Sequence, residues 1–255
     1  NGYAIRNQSG SILVTTEGDL MIASDVDALH DAGADRISAV PIFPQYAGAT
    51  TGSAVEALLT VIARRRVVPP VRVVPPYGHE PAYIGALAAV ARDALGRAAR
   101  PPDHILVSFH GLPARYVAAG DPYQRECEAT FAKLAAALPW PAERMTLAYQ
   151  SRFGSEPWLQ PYADETIRAL PARGVRSLAV ICPGFTADCL ETLEEMGMTN
   201  RELFLAAGGE SYQLLPCVND DERWMAAMES LVSREGTGWL SSGEQAERAE
   251  SLTAR

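Results

Sequence analysis

Short runs of β-branched and other apolar residues alternate along the chain with longer stretches in which apolar positions recur three and four residues apart. The short runs read as strands: residues 12–16, 36–43 (RISAVPIF), 71–76 (VRVVPP), 104–109 (HILVSF), 144–151 (RMTLAYQS), 175–183 (VRSLAVICP) and 211–218 (SYQLLPCV). Several are apolar almost throughout, as strands covered on both faces should be. The longer stretches, 22–32, 52–65, 81–95, 122–137, 161–172, 188–196 and 222–232, read as helices. Asp121 before Pro122 marks one helix start, and Gly174 follows the Ala-rich end of another. The alternation implies an α/β fold with a mostly parallel sheet and right-handed crossovers. The last stretch, EGTGWLSSGEQAERAESLTAR from residue 235, is polar and expected to fray.

Composition narrows the class. A chain of 255 residues suits one large or two smaller domains, and 47% hydrophobic with 21% charged residues is the balance of a globular protein, not a disordered one. The net charge of −9 argues against nucleic acid, whose phosphates need a basic surface. Cys127, Cys182, Cys189 and Cys217 lie far apart without CxxC pairing, which suits buried, reduced thiols. No apolar run reaches the roughly 18–20 residues of a membrane span and no signal peptide opens the chain, so a cytoplasmic protein is expected.

Ligands of open parallel sheets sit beyond the carboxyl ends of the strands. Three such ends carry unusual residues: His110 after HILVSF, QSRFGSEPW after RMTLAY, and PGFTADCLETLEE after VRSLAVI. Within the last, Glu191 and Glu195 are one helical turn apart, with Glu194 beside them, so two carboxylates share a face and can bind a hard cation or carry protons. Each residue alone has a plainer reading. His110 suits a strand-end hydrogen bond, the acids a solvated face, Asp188 a helix cap and Trp158 packing. There is no GxGxxG after a strand, no GxxxxGK[ST] and no GxSxG, so nucleotide cofactors and serine hydrolysis lack support. The glycines of AAGGES, 206–211, are explained by a helix C-cap.

Taken together, PIFPQYAGATTGS (41–53), SFHGLPARYVAAGDPY (108–123), YQSRFGSEPWLQPYADETI (149–167), PGFTADCLETLEE (183–195) and NRELFLAAGGESYQLLPCVND (200–220) resemble ferrochelatase, the family that inserts iron into a porphyrin to make haem. The resemblance covers roughly residues 23–232. It implies that His110, in the HGLP motif, and Glu191 are catalytic. It implies metal contacts from His110, Glu191 and Glu195, and porphyrin contacts from Trp158, Gln150, Ser151, Arg152 and Tyr46. Arg115 and Arg152 are candidates for the porphyrin carboxylates. The substrates implied are porphyrin and Fe(II), with no permanently bound cofactor and with room for peripheral membrane association. Such chemistry needs the ring puckered, two inner N–H protons accepted and the ion stripped of water. Binding strain can supply the first. Imidazole takes protons near neutrality, and carboxylate or imidazole ligands hold Fe(II) loosely enough to pass it on.

The departures from the family carry expectations too. Cys189 stands where some relatives have His, so no metal role is expected of it. A cysteine-rich tail is absent, so no iron–sulfur cluster is expected. Nothing in residues 1–21 matches the family's Leu-Gly-Thr-Pro-like first loop, which predicts an incomplete first lobe. The expected architecture is two Rossmann-like lobes, parallel sheets flanked by helices, with a cleft between them. Residues 1–43 and about 213–255 would form the first lobe, and 44–212 the second, with the catalytic His and Glu. The expected function is insertion of Fe(II) into protoporphyrin IX with release of two protons. A cobalt or nickel tetrapyrrole chelatase and a non-catalytic porphyrin-binding remnant or inactive fragment are the alternatives.

Overall fold

The computed structural model describes the backbone of residues 3–7, 10–14 and 19–239 and the side chains of 24–239. Contacts gather the chain into two units: Asn1–Ile42 with Gly48–Pro75 and Met228–Arg255, and Phe43–Ala47 with Pro76–Ala227.

In the first unit β1 (Tyr3–Asn7) and β2 (Gly10–Val14) form a hairpin, followed by α1 (Asp19–Asp31), β3 (Ile37–Ala39), a π-helical turn at Gly48–Gly52, α2 (Ser53–Ala63) and β4 (Val71–Val73). The sheet order is β1-β2-β3-β4, parallel except for β1, which closes one edge antiparallel. The expected strand at 12–16 thus starts earlier; residues 15 and 16 lie outside the described residues. Strands β3 and β4 are shorter than expected because prolines follow within a few residues, at Pro41 and Pro44 and at Pro75 and Pro76, and a proline has no N–H for the ladder. Val26 and Leu29 of α1, Ile37 and Ala39 of β3, and Leu58 and Ile62 of α2 make one core.

That core explains why the units differ from the expected division. Residues 48–75 group with the first unit, since β4 pairs with β3 and α2 shares its core, while residues 213–227 stay with the second. The start of the tail expected to fray is also tied down. Arg72 donates to the carbonyl of Thr237 at 2.8 Å and stacks on Trp239, its guanidinium 4.3 Å from the ring centre, and Arg36 donates to the Trp239 carbonyl at 2.9 Å. Residues 240–255 lie outside the described residues.

The second unit contains α3 (Pro81–Gly96), β5 (His104–His110), α4 (Ala114–Ala118), α5 (Tyr123–Ala137), β6 (Met145–Gln150), α6 (Ala163–Ala169), β7 (Ser177–Ile181), a π-helix at Glu191–Thr199, α7 (Asn200–Ala206), β8 (Ser211–Leu214) and the first turns of α8 (Glu222–Glu235). Its sheet is wholly parallel, in the order β6-β5-β7-β8. Leu106, Leu178 and Val180 face a core shared with Ile167 of α6 and Phe204 of α7. Ile105, Val107 and Phe109 alternate with that face along β5 and are equally buried, so the strand is covered on both sides. Gly174, at φ 89°, ends the short helical turn Pro171–Arg173, as its position predicted. Trp224 of α8 packs on Tyr77 and Tyr83. Among the described residues no helix is long and apolar enough to cross a membrane.

Candidate active site

His110 is the last residue of β5 and is half-buried. The backbone turns at once: Gly111 N–H donates to the Gln150 carbonyl at 2.7 Å. A Cβ on Gly111 would lie 2.7 Å from that oxygen and 3.0 Å from the Trp158 ring, so glycine is the residue that fits. The Tyr123 hydroxyl, from the start of α5, donates to the His110 carbonyl at 2.9 Å. His110 Nδ1 lies 2.7 Å from the Gly111 carbonyl. A carbonyl can only accept, so Nδ1 carries the proton of the neutral ring and Nε2 keeps its lone pair.

Gln150 ends β6 opposite His110 in the parallel register. Its side chain is 3% exposed and spent inside the protein. Oε1 accepts from Ser108 Oγ at 2.8 Å and from the Cys182 thiol at 3.6 Å, and Nε2 donates to the Glu191 carbonyl at 2.9 Å and to Glu195 Oε2 at 3.4 Å. Ser151 follows with φ 62°, a left-handed conformation in which its N–H meets Glu195 Oε1 at 2.7 Å and its hydroxyl meets Oε2. One buried amide therefore joins the neighbourhood of His110 to the segment carrying both carboxylates.

That segment enters from β7. The Pro183 carbonyl accepts from Tyr83 Oη at 2.8 Å and from Gln45 Nε2 at 3.2 Å. Asp188 and Asn219 then exchange bonds, Asp188 N–H to Asn219 Oδ1 and Asn219 Nδ2 to Asp188 Oδ2, each 2.8 Å. Glu191 and Glu195 fall in the π-helix, not in the α-helix expected over 188–196. Its wider winding shows in the i→i+5 bond from Asn200 N–H to the Glu195 carbonyl. Glu191 and Glu195 are half-buried, while Glu194 is exposed and accepts from Thr199 at 2.7 Å. Burial, and the Glu191 carboxylate that it hydrogen-bonds, push the Cys189 thiol up, so it is protonated at neutral pH. Cys127, Cys182 and Cys217 are buried and free, as expected; Cys189 is half-exposed.

His110, Gln150, Ser151, Glu191 and Glu195 are thus brought together. Gln150 is braced internally, its amide engaged at both ends. Trp158 is 6% exposed, its Nε1 donating to the Phe153 carbonyl at 3.0 Å, so it packs beneath Gly111. Phe153, its ring 4.8 Å from that of Trp158, is 72% exposed. Arg152 pairs with Asp164 and Glu165 and stacks on Tyr162, and Arg115 pairs with Glu156. Tyr46 is half-buried on a segment that Gln45 ties to Thr130 at 3.0 Å. Among the described residues no three His, Cys, Asp or Glu side chains form a group able to hold a metal ion. Both Glu195 oxygens are already taken by Ser151.

The family model described as ferrochelatase matches residues 12–236. The chain belongs to the ferrochelatase family. The match begins earlier than the motifs alone suggested and takes in most of β2, which pairs parallel with β3. Curated ferrochelatases from Methylocella silvestris and Bradyrhizobium diazoefficiens are each 46% identical, over 86% and 88% of this chain. The chain spans 63% and 65% of their lengths. The fold is that of chelatases: it resembles a structure of SirB from Bacillus subtilis with Fe3+ at a TM-score of 0.60 and 15% identity, covering 84% of this chain and 77% of that one. A sirohydrochlorin chelatase SirB from Bacillus subtilis subspecies spizizenii in complex with cobalt gives a TM-score of 0.58 at 13% identity, covering 84% and 75%. This ferrochelatase-family chain has an α/β fold, with the residues of the HGLP and ADCLETLEE motifs at one end of a parallel sheet.

Proposed function

We propose that the chain inserts Fe(II) into protoporphyrin IX, with His110 and Glu191 as the reacting groups. The observation that carries this is the Gln150 brace: its backbone is in register with His110, and its amide holds the Glu191 carbonyl and touches Glu195. In this reading a pyrrole N–H gives its proton to His110 Nε2, the ring nitrogen left with a lone pair. Glu191 supplies a hard oxygen donor through which the ion exchanges its water for the pyrrole nitrogens. His110 passes the first proton to water before taking the second, and the two deprotonated pyrrole nitrogens together with the two imine-type nitrogens bind Fe(II), the porphyrin dianion balancing its charge. Phe153 offers an exposed ring against which an apolar macrocycle can lie.

The test is anaerobic Fe(II) insertion into protoporphyrin by the 255-residue chain, followed by haem absorbance. Turnover should appear and fall by about a hundredfold or more in His110→Ala and in Glu191→Gln, the usual scale of a lost acid–base group. Porphyrin that binds but is never metallated, or variants as active as the parent, would overturn the proposal.

A further inference from the structure

Among the described residues, the non-glycine residues with left-handed backbone are Ser151, φ 62°, and Asn219, φ 47°. They lie on different loops, after β6 and after β8, yet both bond the same stretch. Asn219 grips Asp188 from both sides, while its own N–H donates to the Thr186 carbonyl at 2.9 Å. Ser151 grips the Glu195 carboxylate through N–H and hydroxyl. Glu191 lies between these two grips, and its carbonyl takes the Gln150 amide.

Left-handed backbone is sparsely populated by residues with a Cβ and persists where the surroundings over-determine it. Here the surroundings are the grips themselves. A π-helix is an uncommon winding, kept mainly at functional sites, so bonds from outside the segment are what hold it in place. We propose that Ser151 and Asn219 are positioning residues whose left-handed conformations clamp Asp188 and Glu195 and thereby fix Glu191; the inference rests on the reading of Glu191 as a reacting group.

Glycine takes positive φ without strain, so Ser151→Gly and Asn219→Gly release the side-chain grips and relieve the backbone together. The full chain and both variants are compared by thermal melting, by hydrogen exchange over residues 188–199, and by kcat and KM for Fe(II) insertion. The expected result is an unchanged or higher Tm, exchange faster in 188–199 alone, and kcat lower by about tenfold or more with KM unchanged, since displacement of a reacting group by about 1 Å can cost a hundredfold. Ser151→Asn, which tolerates positive φ and offers an amide donor to Glu195, should recover most of kcat.

Unchanged exchange in 188–199, unchanged kcat, or a kcat loss that tracks a general fall in Tm would each overturn the clamp. Glu191→Gln is measured alongside. If it keeps the parent's turnover, the functional reading fails on its own terms, and hydrogen exchange still decides whether the two residues hold the segment.

Discussion

At the scale of single residues, the close approach of Gly111 to its neighbours makes the first prediction. Gly111→Ala drives a methyl against the Gln150 carbonyl and the buried Trp158 ring, neither of which is a flexible chain end. Overpacking of this kind costs about 1–3 kcal/mol, so its Tm should fall, and turnover should fall with it because His110 and Gln150 are displaced together. A denaturant melt and an insertion assay on the same sample check both. Trp158 and Phe153 separate packing from exposure. Trp158→Ala should cost about 3 kcal/mol or more, as core aromatic truncations do. Phe153→Ala, at 72% exposure, should stay within about 0.5 kcal/mol of the parent while raising KM for porphyrin. Equal destabilisation by the two would contradict this assignment. The placement of His110 at a strand end and of Glu191 and Glu195 on one helix was legible in the sequence, because strand ends and spaced carboxylates are local patterns. The internal role of Gln150 and the burial of Trp158 were not, since both depend on contacts between strands and loops that no local pattern encodes.

At the scale of elements, the π-helix and the turn after it show where periodicity stops being informative. ADCLETLEE reads as a helix in either winding, because Glu191 and Glu195 share a face in both, and the extra residue per hydrogen bond is set by ties from other loops. The next turn was legible: Gly208 takes φ 101° and Gly209 N–H donates to the Phe204 carbonyl at 3.0 Å, a C-cap as AAGGES suggested. What the sequence did not reveal is why the second glycine is needed. A Cβ there would come within 2.2 Å of the Phe204 ring, which is 0% exposed and has no room to move. Gly209→Ala should therefore destabilise by about 2 kcal/mol or more, and Phe204→Leu in the same chain should recover part of the loss by clearing the space. A double-mutant cycle in urea measures the coupling; simple additivity would show that the clash is not the cause.

At the scale of the molecule, the strand–helix alternation made the α/β class readable, whereas the grouping of β4 and α2 with β3 rests on pairing and packing across a gap in sequence that no local pattern marks. One buried group that ties stability to pH is His104, which opens β5 inside the second sheet. It is 6% exposed, and one ring nitrogen lies 2.9 Å from Thr146 Oγ1. Burial first, and then the charge of Arg173, hold its pKa below the ordinary value. The unfolded chain then binds the proton more readily than the folded one. Stability from this group is complete above the unfolded pKa of about 6.5 and is lost as pH falls through the depressed folded value. Asp35 and Asp221 have lowered values as well, through their hydrogen bonds to Arg36 and Arg223, but they act below about pH 4 and leave this window clear. Urea melts at pH 7.5 and 5.5 should show the parent losing stability on acidification and His104→Gln losing less, because a glutamine can keep the bond to Thr146 and does not titrate. Equal losses would mean that His104 is protonated in the folded sheet, against both its burial and its cationic neighbour.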